Sequence, residues 1–146
     1  KNRKYAQLFT SLFRIRKIHK TYLAIVYGKV NKSLKVMKDD LIYYENNKKI
    51  TQKAVSNLKI IKLNEGYSYL ELNPITGRKH QLRKQLLKIG CPIIGDNKYF
   101  LNDRKRLKIK NLMLHAYKVK FMINNIQYNF KAKYNNQFED FLKKNI

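Results

Sequence analysis

The segment from Thr21 to Tyr27 constrains the fold more than any other part of the sequence. It reads Thr-Tyr-Leu-Ala-Ile-Val-Tyr, it contains no charged residue, and Gly28 follows it. β-Branched and aromatic side chains favour extended backbone, and a strand that is apolar at successive positions is buried on both of its faces. The sequence therefore predicts a central strand in a sheet that is covered on both sides.

The remaining pattern predicts a few helices among runs of strands. Apolar residues at helical spacing predict a helix over residues 2–17 and a second one that runs to Ile89 and stops at Gly90. A short helix is predicted to begin at Phe138. Alternating residues predict two hairpins, which pair 54–63 with 67–72 and 114–123 with 126–133.

Residues 31–50 are polar, contain only a weak strand signal at 41–44, and are predicted to form a surface excursion. The strands and helices do not alternate in regular βαβ order. This arrangement predicts an α+β fold with a mixed, mainly antiparallel sheet flanked by helices, and the length of 146 residues fits a single domain.

The charge of the chain indicates a polyanionic partner. Lys and Arg number 33 against 9 Asp and Glu, which gives a net charge of +24 and makes nucleic acid the leading candidate. An acidic membrane surface is the weaker alternative, and no apolar run approaches the roughly 18 residues of a membrane span. The single cysteine, Cys91, excludes an intramolecular disulfide and a Cys-rich zinc module.

The helix after Thr76 carries the most chemical information. Arg83 emerges at the edge of its apolar face, where a cation is costly to desolvate unless it meets an anion. Most carboxylates of the chain lie in polar loops or near its end, so we expect the partner of Arg83 outside these residues, or a phosphate, with a structural salt bridge as the alternative. Arg78 and His80 are predicted in the first helical turn, either as a phosphate clamp or as an ordinary solvated helix start.

Four ordered motifs resemble a known family. TGRKHQLR resembles the TGR-x-HQ-[IL]-R signature of the RluA-type RNA pseudouridine synthases. HKTYLAIVYG resembles the family's K-x-Y-x-A-x-V-x-G strand, GCPIIGDNKY its G-x-P-I-x-GD-x-x-Y loop, and LMLHAYKVKF its L-x-L-H-A-x-x-L-x-F strand. The H-R-L-D-x-x-T-S-G motif, which carries the family's catalytic Asp, is absent. We therefore expect residues 1–146 to be the C-terminal part of a catalytic domain, inactive without that upstream motif.

The resemblance implies a pseudouridine-synthase-like sheet and a reaction that needs no cofactor and no metal. The C1′–N1 bond of a uridine in RNA breaks, the uracil turns, and C5 bonds to C1′ after the base has left its stack. The resemblance makes Tyr22 the tyrosine whose ring stacks on the uracil and whose hydroxyl is expected to help move a proton, although it is also one of 11 tyrosines. Arg83 would orient the missing Asp and keep it ionised. Leu114 or Ile93 would line the base pocket.

Further residues are assigned supporting roles. Arg78, His80 and Gln81 are expected to contact substrate or RNA, and for His80 and Gln81 holding the loop before the helix is favoured over acid–base work. Asp96 is expected to form a turn, with a positioning role as the alternative. His115 is expected to be structural. RNA phosphates are expected at a basic cluster, with a solvated loop as its alternative; the cluster comprises Arg104, Lys105, Arg106, Lys108 and Lys110.

Taken together, the sequence predicts an RNA pseudouridine synthase that acts on ribosomal RNA rather than tRNA, as a monomer, in the cytoplasm or an organellar matrix. A non-catalytic RNA-binding module is the first alternative, and retention of Tyr22 and Arg83 argues against it. A basic membrane-surface protein is the second, and it would need an exposed amphipathic helix. The apolar face of residues 2–17 is better explained by packing on the sheet.

Overall fold

The computed structural model describes residues 2–14, 17–102, 109 and 111–146. These residues form an α+β fold, as predicted. The strands are β1 His19–Tyr27, β2 Val36–Glu45, β3 Lys48–Leu63, β4 Tyr67–Pro74, β5 Leu114–Ile123 and β6 Ile126–Lys131. The helices are α1 Arg3–Arg14, α2 Gln81–Lys88 and α3 Asn136–Asn145. Among the described residues, none of the helices could span a lipid bilayer.

β1 lies in the interior of the sheet, as its apolar sequence predicts. The strands form one sheet in the order β2-β3-β4-β1-β5-β6, and each neighbouring pair is antiparallel. Residues 23–26 of β1 are at most 2% exposed, because β4 and β5 flank the strand and helices cover both faces of the sheet. The expectation of a mainly antiparallel sheet is confirmed.

The prediction of a surface excursion over residues 31–50 is wrong for most of its length. β2 pairs residue by residue with the first half of β3, from Val36 opposite Asn57 to Glu45 opposite Lys48. Only one face of this hairpin is buried, mainly through Met37, Leu41 and Ala54, so the sequence shows few apolar positions between lysines and aspartates. A half-exposed strand of this kind gives a weak periodic signal.

The helices are distributed unequally over the two faces of the sheet. Leu58, Leu72, Tyr22 and Ala116 lie opposite one another across β3, β4, β1 and β5, and they define what we call the front face. α2 packs on this face through Leu82 and Leu86, which join the core cluster of Leu58 and Leu72. α1 packs on the same face over the β5–β6 end, which confirms the packing expected for its apolar side; the contacting residues are Leu8, Phe9, Leu12, Val119 and Phe121.

α3 covers the opposite face. Phe138 of α3 packs against Tyr69 of β4 and His115 of β5, whose side chains point away from the front face. The helix is capped by Asn135, whose side chain accepts a hydrogen bond of 2.8 Å from the Phe138 N–H. α1 and α2 therefore leave a strip of the front face uncovered between them, around Tyr22.

Candidate functional site

A cavity of about 210 Å³ opens on the front face between β1, β5 and α2, and we call it the site cavity. β1 contributes Tyr22, β5 contributes Leu114, and the turn before α2 contributes most of the remaining wall. Six of the residues expected from the sequence line it, namely Tyr22, Arg78, His80, Gln81, Arg83 and Leu114. The fold thus brings together residues that lie up to 92 positions apart (114 − 22).

Among the described residues the partner of Arg83 is Asp96, so the structural salt bridge, which the sequence left as the alternative, is confirmed. The Nε and Nη2 atoms of Arg83 donate to the two carboxylate oxygens of Asp96 at 2.7 and 2.6 Å. The Asp96 side chain is 0% exposed and that of Arg83 is 17% exposed. Asp96 lies in a loop, which is why the sequence suggested a solvated carboxylate, but the loop folds back over α2.

Asp96 also organises its own loop, which confirms its expected role in a turn. Its Oδ1 atom accepts the N–H groups of Lys98 and Tyr99 at 2.9 and 2.8 Å. Burial by itself raises the pKa of the carboxyl, but the hydrogen bonds from Arg83, Tyr99 and Lys98 outweigh burial, and the net pKa is lowered. The same contact raises the pKa of Arg83, so both partners are charged at neutral pH.

Gly95 permits the approach of this loop to the start of β5. Its φ angle is +76°, and a Cβ atom at this position would collide with the backbone carbonyl of Asn111. Neighbouring backbone groups close the same junction, because Ile94 donates to Ile25 at 3.0 Å and Met113 donates to Ile94 at 2.8 Å. Position 95 therefore requires glycine if Asp96, the next residue, is to reach Arg83.

Arg78 and His80 both lie before α2, so the prediction that they lie in its first turn is wrong. His80, the residue before Gln81, has a φ angle of +54°, a left-handed conformation that ends the preceding turn. The Nδ1 atom lies 3.0 Å from the Tyr99 hydroxyl. Burial lowers the pKa of His80, and the positive charges of Arg83 and three nearby lysines lower it further. A neutral His80 that holds Tyr99 matches its expected structural role.

Gln81 fixes the turn that forms one wall of the site cavity. Its Oε1 atom accepts the Thr76 hydroxyl at 2.7 Å and the Arg78 N–H at 3.0 Å. Its Nε2 atom donates to the Val55 carbonyl at 3.0 Å and the Ser56 hydroxyl at 2.8 Å. Because the oxygen and the nitrogen of the amide are both hydrogen-bonded within the protein, Gln81 holds the turn in place and leaves substrate contact to other residues.

Gln85 continues this network one helical turn later, and no sequence pattern indicated this role. The side chain is fully buried, accepts the Ser56 hydroxyl at 2.7 Å and donates to Asp39 at 3.0 Å. A glutamine in an amphipathic helix normally indicates a solvated position, so only the three-dimensional neighbours reveal this role. α2 is thereby bonded to both strands of the β2–β3 hairpin.

Lys20 was not among the expected site residues, although it lines the site cavity two positions before Tyr22 on the same side of β1. Burial lowers its pKa. Its Nζ atom would lie 3.5 Å from a Cβ atom built on Gly77, so glycine leaves room for the amine at this wall. The K-x-Y spacing was the available signal, because residues i and i+2 of a strand share a face.

The other residues that the sequence analysis named do not line the site cavity or are not described by the structure. Arg104 and Arg106 fall outside the described residues. Ile93 is 1% exposed and lines a different cavity, so between Leu114 and Ile93 the structure selects Leu114 for the site wall. His115 packs against Tyr134 and Phe138 and lies 3.3 Å from the Ala132 carbonyl, in agreement with a structural role. In the described ranges no group of three or more His, Cys, Asp or Glu residues could hold a metal ion.

Comparison with known sequences identifies relatives. A ribosomal large subunit pseudouridine synthase C from Rickettsia bellii is 37% identical over 116 residues, which cover 71% of this chain and 37% of that protein. A tRNA pseudouridine synthase C from Haemophilus ducreyi is 36% identical over 137 residues, which cover 79% of this chain and 56% of that protein. The chain thus spans about a third to a half of the length of these curated relatives.

Comparison with solved structures supports the same relationship. Human RNA Pseudouridylate Synthase Domain Containing 4 superimposes with a TM-score of 0.81 at 25% identity, over 97% of this chain and 67% of that one. The likeness confirms the fold class implied by the sequence motifs. The family model for RNA pseudouridylate synthases matches residues 1–88, which is more than half of the chain. From the family match and the shared fold we conclude that the chain belongs to the RNA pseudouridylate synthase family.

Proposed function

We propose that this chain forms part of an enzyme that isomerises uridine to pseudouridine within RNA. One observation carries the proposal: Tyr22, Arg83 and Leu114, which match the family motifs on three separate elements, line a single cavity. A non-catalytic RNA-binding module needs basic surface, and it does not need this convergence. The net charge of +24 suits either kind of protein.

The size of the site cavity suits one flat base. Its volume of about 210 Å³ is below the roughly 300 to 1,000 Å³ of pockets for drug-sized ligands. A uridine base inside a folded RNA must leave its stack to enter such a space. The Tyr22 ring and the Leu114 side chain offer an aromatic and an apolar wall for the uracil, while Arg78 and Lys20 place positive charge at the cavity.

Arg83 is able to hold a second carboxylate. A guanidinium has five N–H donors, and Asp96 occupies two of them, one on Nε and one on Nη2. In our proposal, Asp96 fixes the plane of the guanidinium, and the remaining donors hold the catalytic Asp of the H-R-L-D-type segment in its ionised form. The described wall of the site cavity contains no Asp or Glu, so this carboxylate is the element that the proposed reaction still requires.

The proposal is tested with the full-length protein and RNA that carries tritium at C5 of uridine. Tritium is released when C5 bonds to C1′, so the wild-type protein is expected to release it. Tyr22→Phe keeps the aromatic ring and removes the hydroxyl, and a role in proton transfer predicts roughly a 100-fold lower rate. Tyr44→Phe is the matched control, because Tyr44 is 76% exposed and lies on β2, outside the cavity wall.

Two results would contradict this assignment. Wild-type turnover in Tyr22→Phe would remove Tyr22 from the chemistry. Failure of the wild-type protein to release tritium from any RNA tested would favour the RNA-binding module.

We further propose ribosomal RNA as the substrate. The Rickettsia bellii relative is named for the large ribosomal subunit, which supports this choice, whereas the Haemophilus ducreyi relative is named for tRNA. Parallel assays with labelled ribosomal RNA and labelled tRNA separate the two. A higher kcat/KM on tRNA would overturn the substrate proposal and leave the reaction intact.

A further inference from the structure

Three lysines lie next to residues that line the site cavity or contact them. We call Lys79, Lys84 and Lys98 the rim lysines. Lys79 precedes His80 and Lys84 follows Arg83, and both of these neighbours line the site cavity. Lys98 lies beside Tyr99, whose hydroxyl is 3.0 Å from the Nδ1 atom of His80. Lys79 and Lys98 are exposed and Lys84 is half-buried. The rim lysines come from three different places, namely the turn before α2, α2 itself and the loop that carries Asp96.

Aromatic residues contact each of the rim lysines or its backbone. The Nζ atom of Lys84 lies 4.0 Å from the centre of the Tyr43 ring and donates to the Ile42 carbonyl at 3.0 Å. The Tyr43 hydroxyl donates to the Lys79 carbonyl at 3.1 Å. The Nζ atom of Lys98 lies 5.9 Å from the centre of the Tyr99 ring. The β2–β3 hairpin therefore restrains the Lys84 ammonium group and the Lys79 backbone before any ligand binds, while the Lys98 ammonium group stays within reach of the Tyr99 ring.

Among the described residues, no carboxylate forms an ion pair with a rim lysine. Within the described ranges the lysine ion pairs are those of Lys29, Lys88 and Lys143, so none of the rim lysines takes part in one. Asp96 is committed to Arg83. Burial lowers the pKa of Lys84, and repulsion from Lys98 and Lys79 lowers it further. Like charges gathered in this way destabilise the free protein unless an anion offsets them.

We propose that the rim lysines bind the phosphodiester backbone next to the uridine whose base enters the site cavity. This inference rests on the proposed function and adds the residues that position the RNA strand. Ammonium groups recognise phosphate as point charges, so the rim lysines fix the position of the strand without reading the neighbouring bases. A base in the cavity and its flanking phosphates at the rim are then held by adjacent parts of one surface.

The proposal is tested by the salt dependence of RNA binding. The probe is a fluorescein-labelled oligouridylate of 20 nucleotides, and its Kd for the full-length protein is measured across a salt series. Loss of two phosphate contacts in Lys79→Gln/Lys98→Gln lowers the slope of log Kd against log salt by about 1.4. Lys32→Gln/Lys35→Gln is the matched control, because it removes the same charge from exposed positions between β1 and β2.

The control variant is expected to change the slope by less than half as much. Equal slopes for the two double variants would show that only the overall charge matters, and this result would overturn the proposal. Failure of the wild-type protein to bind the oligouridylate would overturn it as well. Since the measurement does not depend on turnover, a protein that binds in this way and releases no tritium would contradict the proposed function alone.

His80 provides a second measurement at the rim. It faces Arg83 and the rim lysines and is bonded to the Tyr99 hydroxyl, while Asp96 is shielded by its pairing with Arg83. A bound phosphate is expected to raise the pKa of His80, which an NMR titration with and without oligouridylate follows. The other two histidines, His19 and His115, serve as internal references. An unchanged His80 pKa in the complex would contradict a phosphate at the rim.

Discussion

At the scale of single residues, the pairing of Arg83 with Asp96 shows what side-chain chemistry predicts and what it leaves open. The sequence indicated correctly that a cation at the edge of an apolar helix face needs an anion. It could not identify the anion, because Asp96 follows α2 in a loop and only the folded path of that loop buries it. The family motifs located Arg83 and Tyr22, whereas composition would have left Tyr22 among the other tyrosines.

Removal of Arg83 is expected to destabilise the fold and to slow the proposed reaction. Arg83→Met leaves the fully buried Asp96 carboxylate without its cation, at a cost of about 3 kcal/mol. Adding Asp96→Asn removes the unpaired charge and is expected to restore part of the loss. Urea unfolding of the wild type, both single variants and the double variant gives the coupling energy. Additive effects of the two substitutions would show that the pair contributes little.

The same pair makes stability depend on pH in acid. The pKa of Asp96 is lowered below 3.8 in the folded protein, so the unfolded chain binds the proton more readily. The stabilisation from the pair is therefore complete above the unfolded-state pKa of Asp96 and is lost as the pH falls through its folded-state pKa. Unfolding of the Asp96→Asn variant between pH 5 and pH 2 is expected to lack this contribution, in a range where the wild type loses stability.

At the scale of elements, strands with a continuous apolar run or a clear alternation were predictable, and a strand with many charged residues was not. β1 was recognised because no charged residue interrupts its apolar run. The β3–β4 and β5–β6 hairpins were recognised because two segments of alternating apolar and polar residues are joined by turn residues. β2 was largely missed, since lysines and aspartates fill its outer face. The start of α2 was placed too early, because His80 adopts a left-handed conformation that sequence spacing does not reveal.

The buried amides between α2 and β3 are expected to contribute strongly to stability. Gln85→Leu leaves the Ser56 hydroxyl without its acceptor and removes the donor to Asp39. Each buried polar group left unsatisfied costs about 1 to 3 kcal/mol. Gln7→Leu on the exposed side of α1 is the matched control and is expected to change the free energy of unfolding by less than 0.5 kcal/mol. Similar unfolding midpoints for the two variants would contradict this role.

At the scale of the whole molecule, the site depends on segments that are distant in sequence and meet on the front face. α1 and α2 cover the two ends of this face, and the site cavity occupies the strip between them. The ordered motifs led to six residues that line the site cavity. The sequence could not predict the rim lysines, since in a chain this rich in lysine only their positions beside the cavity wall distinguish them from solvated surface.

Gly95 tests whether this assembly tolerates displacement. Gly95→Ala places a methyl group against the Asn111 carbonyl at a φ angle that other residues rarely adopt. The Asp96 loop must then move, and the variant is expected to lose more than 1 kcal/mol of stability by thermal unfolding. Gly66→Ala is the control, because its nearest neighbour lies 4.0 Å away. An equal melting temperature for the two variants would contradict the required contact.

The contact between Gly95 and Asn111 also has an evolutionary consequence. Backbone hydrogen bonds on both sides of it fasten the two ends of the intervening stretch to β1 and to each other. Since doubling a loop adds only about 0.6 kcal/mol of closure entropy, that stretch can gain or lose residues without moving Asp96. Relatives of this chain can therefore differ in length between Asp96 and Asn111 while they keep the pair of Arg83 and Asp96.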